Sequence, residues 1–145
     1  MFRLTSEVAK RAQKPRQMPW DLRFDPELRI VETRYAGRVE PNELRAAATA
    51  TLACGEEQGT HRYLADCTAL EGGHSVLDLY ALVEILSDVR PTAFREAILL
   101  PQLAAPRQEV DFWETSCANR GFVVRIFDGR EPAVAWLIGS PPDAS

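Results

Sequence analysis

The most constraining feature of the sequence is a short uninterrupted apolar run, Ala97-Ile98-Leu99-Leu100, which ends at a proline. A strand that faces water on one side alternates apolar and polar residues, whereas a strand covered on both faces does not. The run therefore indicates a strand with other elements packed against both of its faces. Strands of this kind belong mostly to parallel sheets flanked by helices, so we expect an α/β fold.

The rest of the chain alternates strand and helix patterns in the way such a sheet requires. Trp20, Leu22 and Phe24 alternate with polar residues, and a turn after Phe24 leads into a second strand over 29–35, so the fold opens with an antiparallel hairpin. The remaining predicted elements are a helix over 41–58, a strand over 63–66, a helix over 76–89, a strand over 97–100, a helix over 109–119, a strand over 123–127 and a helix over 131–138. We predict a mixed, mostly parallel sheet of four to five strands flanked by four helices.

The charge of the chain is distributed unevenly along its length. The net charge is −4, yet residues 1–18 carry five basic residues against Glu7 alone, which leaves −8 on the remainder. The acidic body disfavours nucleic acid as the main partner. We divide the chain into a basic N-terminal extension (residues 1–18), one folded domain (residues 19–139) and a tail (residues 140–145) that is disordered by composition. The extension is either a loosely docked tail or a basic segment that touches a membrane surface or an acidic partner.

Composition and motifs favour a cytoplasmic protein without catalytic machinery. No stretch approaches the ~20 apolar residues of a transmembrane segment, and the N-terminus lacks the apolar region of a signal peptide. The three cysteines, Cys54, Cys67 and Cys117, are an odd number without CxxC spacing, which favours reduced thiols. No P-loop, GxGxxG, GxSxG or metal-ligand spacing is present. We therefore expect no enzymatic activity, no metal and no cofactor.

Three segments of the sequence resemble a known family. They are residues 63–66 (YLAD), 124–128 (VRIFD) and 133–137 (AVAWL). Together with the order of elements, they look like the SpoIIAA-like branch of the STAS superfamily, whose neighbours include Sec14-type lipid carriers. The resemblance implies a bacterial cytoplasmic domain that is often dimeric and has no established enzymatic activity. It also implies a regulatory role, because better-known STAS members are anti-sigma-factor antagonists that are switched by serine phosphorylation.

Ser75 lies close to the position of that phosphorylated serine, at the start of the helix that follows the third strand. The family pattern reads Asp-Ser-Ser-Gly, while this chain has His74 before Ser75 and Val76 after it. A phosphate at a helix N-terminus meets free N–H groups and the positive end of the helix dipole. A serine there can equally act as a helix cap, and Asp78 three residues later resembles a capping box. Both readings, the cap and the phosphorylation switch, stay open at this point.

A candidate ligand site lies around the expected carboxyl end of the third strand. Ligands of open α/β sheets bind at that edge. Asp66 ends the predicted strand, Gly72 and Gly73 precede a helix that could bind an anion, and His74 follows them. Trp113 of the next helix could complete the site. The alternative is a glycine-rich turn with solvated polar groups.

The helix over 76–89 carries apolar residues on two sides. At ~100° per residue, Leu79 and its neighbours in the helical repeat face the sheet, whereas Leu77 and Tyr80 lie on the outer side, flanked by Val76 and Val83. This second apolar surface favours a homodimer or a protein partner, unless the N-terminal segment or a loop covers it. The leading hypothesis is thus a non-enzymatic interaction or regulatory domain. The alternative is a carrier or sensor of a small apolar or anionic ligand, including a lipid.

Overall fold

A computed structural model describes residues 19–90 and 93–139, so the predicted basic extension (1–18) and the predicted disordered tail (140–145) lie outside the described residues. The elements in chain order are β1 (Trp20–Asp25), β2 (Ile30–Arg38), α1 (Pro41–Gln58), β3 (Arg62–Gly72), α2 (Val76–Val89), β4 (Arg95–Leu99), α3 (Ala104–Asn119), β5 (Val123–Phe127) and α4 (Arg130–Ile138). No helix in the described part of the chain is long and apolar enough to cross a membrane.

The five strands form one mixed sheet in the order β1-β2-β3-β4-β5. β1 pairs antiparallel with β2, and every other neighbouring pair is parallel. The hairpin turns at Asp25, whose carboxylate oxygen Oδ1 accepts hydrogen bonds from the backbone N–H groups of Glu27 and Leu28 at 2.9 and 3.0 Å. The predicted fold class, a mostly parallel sheet with four helices and an opening antiparallel hairpin, is confirmed, with five strands.

Three helices cover one face of the sheet and the fourth covers the other. Since β2 to β5 follow one another in the sheet, right-handed connections place α1, α2 and α3 on the same face. Buried residues of these helices share one core with Ile98 of β4, whereas Leu137 of α4 shares a second core with Leu99. β4 is therefore covered on both faces, as its apolar run predicted.

The helix ends follow from local sequence with one exception. α1 begins at Pro41 and ends before Gly59, which has the left-handed conformation that glycine adopts without strain. α3, by contrast, begins at Ala104, five residues before the predicted start at Glu109. Pro106 occupies its first turn, where the missing proline N–H costs no helical hydrogen bond.

The third strand is longer than predicted, and this moves Asp66 away from a strand end. β3 pairs with β4 as far as Asp66. The pairing stops there because β4 ends one residue before Leu100. It then continues beside β2 alone until Gly72 lies opposite Arg38. The prediction that the strand ends at Asp66 is thus wrong, because the neighbouring β2 is long enough to supply hydrogen bonds for six more residues.

Candidate functional site

A cavity of about 110 Å³ lies between the sheet and the three helices α1, α2 and α3. Its walls are largely aliphatic and aromatic. The lining side chains that carry a polar or ionisable group are Thr33, Tyr35, Thr51, Tyr63, Cys67, His74, Glu96, Glu109 and Trp113. No lysine or arginine among the described residues lines this cavity.

Glu96 is the most unusual of the lining residues. Strand alternation points it to the same face of β4 as Ile98, into the core beneath the three helices. One carboxylate oxygen, Oε1, accepts a hydrogen bond of 2.8 Å from the indole Nε1–H of Trp113. The other, Oε2, has no hydrogen-bond partner among the described residues, although Glu96 keeps some accessible surface where it lines the cavity. Burial raises the pKa of Glu96 to about 7, and the hydrogen bond from Trp113 opposes this increase only in part.

His74 and Glu109 form a second polar pair in the cavity wall. The His74 side chain is only 2% exposed, and its Nδ1 lies 3.0 Å from the carbonyl oxygen of Val39. Because a carbonyl only accepts, Nδ1 carries a proton and donates it. Nε2 lies 3.1 Å from Oε1 of Glu109, a distance that suits an ion pair if the imidazole is doubly protonated. That buried oxygen nevertheless makes no aligned hydrogen bond to any described group.

The structure brings only part of the predicted ligand site together. His74 and Trp113 line the cavity. Asp66 lies on the opposite face of the sheet, where its Oδ1 accepts hydrogen bonds from the hydroxyl and the N–H of Thr68 and its Oδ2 lies 3.7 Å from Nε of Arg34. The predicted grouping of Asp66 with Trp113 is therefore wrong, because alternate residues of β3 point to opposite faces.

Gly72 and Gly73 belong to a close backbone contact. The backbone N–H of Val39 donates to the carbonyl oxygen of Gly72 at 2.8 Å. A Cβ added to Gly73 would lie 2.7 Å from backbone atoms of Val39, and Gly73 has a positive φ of 105°. Glycine is required there by packing and by conformation. The prediction that these glycines bind an anion is untested, and neither lines the cavity.

Ser75 caps α2, as one of its two readings predicted. Its hydroxyl oxygen accepts from the backbone N–H of Asp78 at 3.3 Å, and its backbone N–H donates to the Asp78 carboxylate at 2.7 Å. The Ser75 hydroxyl also donates to this carboxylate at 3.0 Å, and the hydrogen bonds from the N–H and the hydroxyl of Ser75 lower the pKa of Asp78. Phosphorylation of Ser75 stays a prediction, and a phosphate there would meet the carboxylate of Asp78 next to it.

The outer surface of α2 is partly as predicted. Leu77 is 79% exposed, Tyr80 48% and Val76 45%. Val83 is fully buried, so its assignment to the predicted interface is wrong. Buried residues of the helix share a core with strand residues, and the helix also contacts α1 and α3, so its buried arc is wider than one face. Arg120, the residue that follows α3, covers part of the remaining surface, because its guanidinium lies over the Tyr80 ring and donates to the Glu84 carboxylate at 2.9 Å.

The opposite face of the sheet carries a contrasting buried carboxylate, Glu32 of β2. Its two oxygens accept hydrogen bonds from Arg130 at 2.5 and 2.9 Å, and Arg23 donates another at 3.3 Å. Burial alone would raise the pKa of Glu32, but hydrogen bonds and charge from Arg130 and then Arg23 outweigh it and lower the pKa. This carboxylate is fully paired.

Sequence reasoning missed both acidic residues of the cavity. Glu96 directly precedes the apolar run that identified β4, and an isolated acid beside a doubly covered strand is a signal of a buried carboxyl. Glu109 lies four residues before Trp113, so the two side chains share one face of α3. Within residues 19–90 and 93–139, no group of three His, Cys, Asp or Glu side chains could hold a metal ion.

No protein-family model and no curated protein matches the chain. Among solved structures, the chain is similar to an uncharacterized protein of the DUF3478 family from Shewanella loihica PV-4, which has a SpoIIAA-like fold. The two chains are 18% identical with a TM-score of 0.48, and the similarity covers 81% of this chain and 91% of that one. No fold, activity or ligand is carried over from that protein to this chain.

Proposed function

We propose that this domain is a carrier or sensor of a small, mostly apolar ligand, which it binds without enzymatic turnover in the cavity beside Glu96. The observation that supports the proposal is the combination of an apolar cavity with a carboxylate oxygen, Oε2 of Glu96, that no described protein group satisfies. Protein interiors contain few spaces larger than a water molecule. A ligand in this cavity would fill the space and could donate a hydrogen bond to Oε2, which keeps some accessible surface there.

The volume of the cavity limits the size of the ligand. The space available in the cavity is about 110 Å³. An apolar cavity of ~150 Å³ accepts benzene, so this one suits a body of roughly four to five non-hydrogen atoms. The two acidic residues, together with the absence of lysine and arginine from the described lining, disfavour an anionic ligand.

A binding role without turnover agrees with the contacts of the ionisable groups. Nδ1 of His74 donates to the carbonyl oxygen of Val39, and Nε2 faces the Glu109 carboxylate at 3.1 Å, so the imidazole is held in the cavity wall by protein groups. The thiols of Cys67 and Cys117 are buried, and burial raises the pKa of each, which disfavours the nucleophilic thiolate.

The test uses isopentane, a five-carbon probe, at pH 6, where Glu96 is mostly uncharged. We expect isopentane to shift the indole N–H resonance of Trp113, which a Trp113→Phe variant assigns among the three tryptophans. Ala48 lines the cavity from α1, so Ala48→Leu should fill the space and abolish the shift. Ala46→Leu, at an exposed position of the same helix, is the matched control and should bind isopentane like the wild type. Equal binding of isopentane by the two leucine variants would contradict the proposal, as would a Trp113 resonance that neither isopentane nor any other small probe of this size shifts.

A second candidate function, a regulatory domain that forms a homodimer, is supported by the exposure of α2. Leu77 is the most exposed of the large apolar side chains among the described residues, and Val76 lies beside it. Apolar residues that project from one helix in this way are typical of the centre of a protein interface. The surface is smaller than the sequence predicted, because Val83 is buried and Arg120 covers part of Tyr80.

Sedimentation equilibrium at micromolar concentration tests this second candidate. We expect a dimer mass for the wild type and a monomer mass after Leu77→Glu together with Tyr80→Glu. Ile138→Glu, which changes an exposed apolar residue of α4, should leave the dimer unchanged. A monomeric wild type, or a dimer that survives the double substitution, contradicts this function.

A further inference from the structure

The polar groups of the cavity identify the chemical class of its ligand, an inference that rests on the proposed function. Two acidic side chains line the cavity, and the only basic one among the described lining residues, His74, is placed against Glu109. Glu96, by contrast, faces the cavity without a histidine, lysine or arginine beside it among the described lining residues. Its Oε1 is occupied by the Trp113 indole, which leaves Oε2 as an acceptor that lacks a donor among the described residues.

We propose that the ligand has a compact apolar body and one hydrogen-bond donor, an amino or a hydroxyl group, that is donated to Oε2 of Glu96. An ionised carboxylate only accepts hydrogen bonds. A ligand without a donor would therefore displace water from the charged carboxylate without replacing the hydrogen bonds that water made. An anionic ligand would place a further negative charge beside Glu96 and Glu109. A protonated amine would instead form a charge-assisted hydrogen bond, the stronger kind.

Four small molecules of matched shape separate these possibilities: isobutylamine, isobutanol, isopentane and isobutyrate. The first three differ only in one terminal group, which is NH₃⁺, OH or CH₃. Binding is measured at pH 8, where Glu96 is mostly ionised, through the Trp113 indole resonance. We expect isobutylamine to bind about tenfold more tightly than isopentane, with isobutanol between them and isobutyrate not detected.

A substitution at Glu96 can replace the hydrogen-bond acceptor that faces the cavity by a donor without changing the shape of the side chain. In Glu96→Gln, the carbonyl oxygen accepts from the Trp113 indole, and the amide NH₂ then faces the cavity as a donor. We expect this variant to lose the tenfold preference for isobutylamine and to bind isopentane at least as tightly as the wild type. Glu114→Gln, a glutamate of α3 that does not line the cavity, is the matched control and should keep the wild-type order.

The possible outcomes separate this inference from the function on which it depends. If isopentane at pH 8 equals or exceeds both isobutylamine and isobutanol, or if isobutyrate binds most tightly, the assigned ligand class is wrong. Isopentane binding at pH 6 would still support a ligand-binding function in that case. If none of the four molecules shifts the Trp113 resonance at either pH, both the ligand class and the proposed function are overturned.

Discussion

Glu32 and Glu96 are carboxyl groups on opposite faces of the same sheet, the first buried and the second partly buried, and their surroundings differ sharply. Glu32 of β2 lies beneath the guanidinium groups of Arg130 and Arg23, which donate to it at 2.5–3.3 Å. Glu96 of β4 receives one hydrogen bond, from the neutral indole of Trp113, and its second oxygen faces a cavity. Burial opposes the charge of both groups, yet the pKa of Glu32 is lowered while that of Glu96 is raised to about 7.

The difference separates a structural carboxylate from a candidate functional one. Glu32 forms ion pairs with its arginines, and these pairs connect β1, β2 and α4. The buried charge of Glu32 is therefore explained by its contribution to the folded structure. Glu96 has no such partner, and folding alone does not explain why an acid occupies this position. A carboxyl with a raised pKa in a cavity is the usual mark of a ligand or reaction site. The comparison therefore points to the face beneath α1, α2 and α3.

The largest expected effect is that Glu96→Gln stabilises the protein at neutral and higher pH. Since the folded pKa of about 7 lies above the ordinary 4.5, the native state binds more protons between these values, and stability falls as the pH rises through that window. Because the glutamine amide does not ionise, the substitution should raise the free energy of unfolding by roughly 3 kcal/mol at pH 8 and by less than ~1 kcal/mol at pH 5. Urea unfolding at the two pH values measures this.

The control for this experiment is Glu114→Gln on α3, which should change the free energy of unfolding by less than ~0.5 kcal/mol at both pH values. A Glu96→Gln variant that is less stable than the wild type at pH 8 would show that the Glu96 charge is paired in the folded state. The contrast with Glu32 would then disappear.

The opposite sign is expected for Glu32→Gln, with a smaller magnitude. Its folded pKa is lowered, so its stabilisation is present above the ordinary pKa of 4.5 and is lost as the pH falls through the lowered value. We expect a loss of about 2 kcal/mol in the free energy of unfolding at pH 7, discounted because the arginines are about half exposed. Urea unfolding at pH 7 and at pH 3 measures the loss, which should shrink at the lower pH. A loss of equal size at both pH values would exclude the ion pairs as its cause.

The smallest effects distinguish the arginines around Glu32. Arg130 donates to both carboxylate oxygens, whereas the nearest nitrogen of Arg34 lies 3.9 Å away. We expect Arg130→Gln to cost about 1 kcal/mol and Arg34→Gln less than ~0.5 kcal/mol in thermal unfolding at pH 7. Equal losses for the two variants would mean that general charge, rather than the two-point contact, lowers the pKa of Glu32.

The fold could be predicted from the sequence because its signals are local. The bounds of α2 follow from Ser75 and the apolar repeat, and the end of α1 follows from Gly59. The longer β3 could not be predicted, because residues 67–72 are strand only by pairing with the extended β2. Pro106 lies in the first turn of α3, whose start was predicted too late, at Glu109.

The candidate site was less predictable because it depends on which residues meet across the core. His74 and Trp113 were identified, but Asp66 points to the other face, and Glu96 was missed. The sequence does not indicate whether an acidic residue in a strand will face an arginine or a cavity. Glu32 and Glu96 have similar local sequence environments, since each adjoins apolar strand residues, and only the fold separates them.

The most direct test of the central claim follows both carboxyl groups in one experiment. Carbon-detected NMR of ¹³C-labelled protein at pH 6 records the side-chain carboxyl resonances of Glu96 and Glu32 while isopentane is added. The account predicts that the Glu96 carboxyl and the Trp113 indole shift together and saturably, while the Glu32 carboxyl does not move. An unchanged carboxyl resonance of Glu96, or a shift of equal size at Glu32, would contradict the claim that the unpaired carboxyl marks a ligand site.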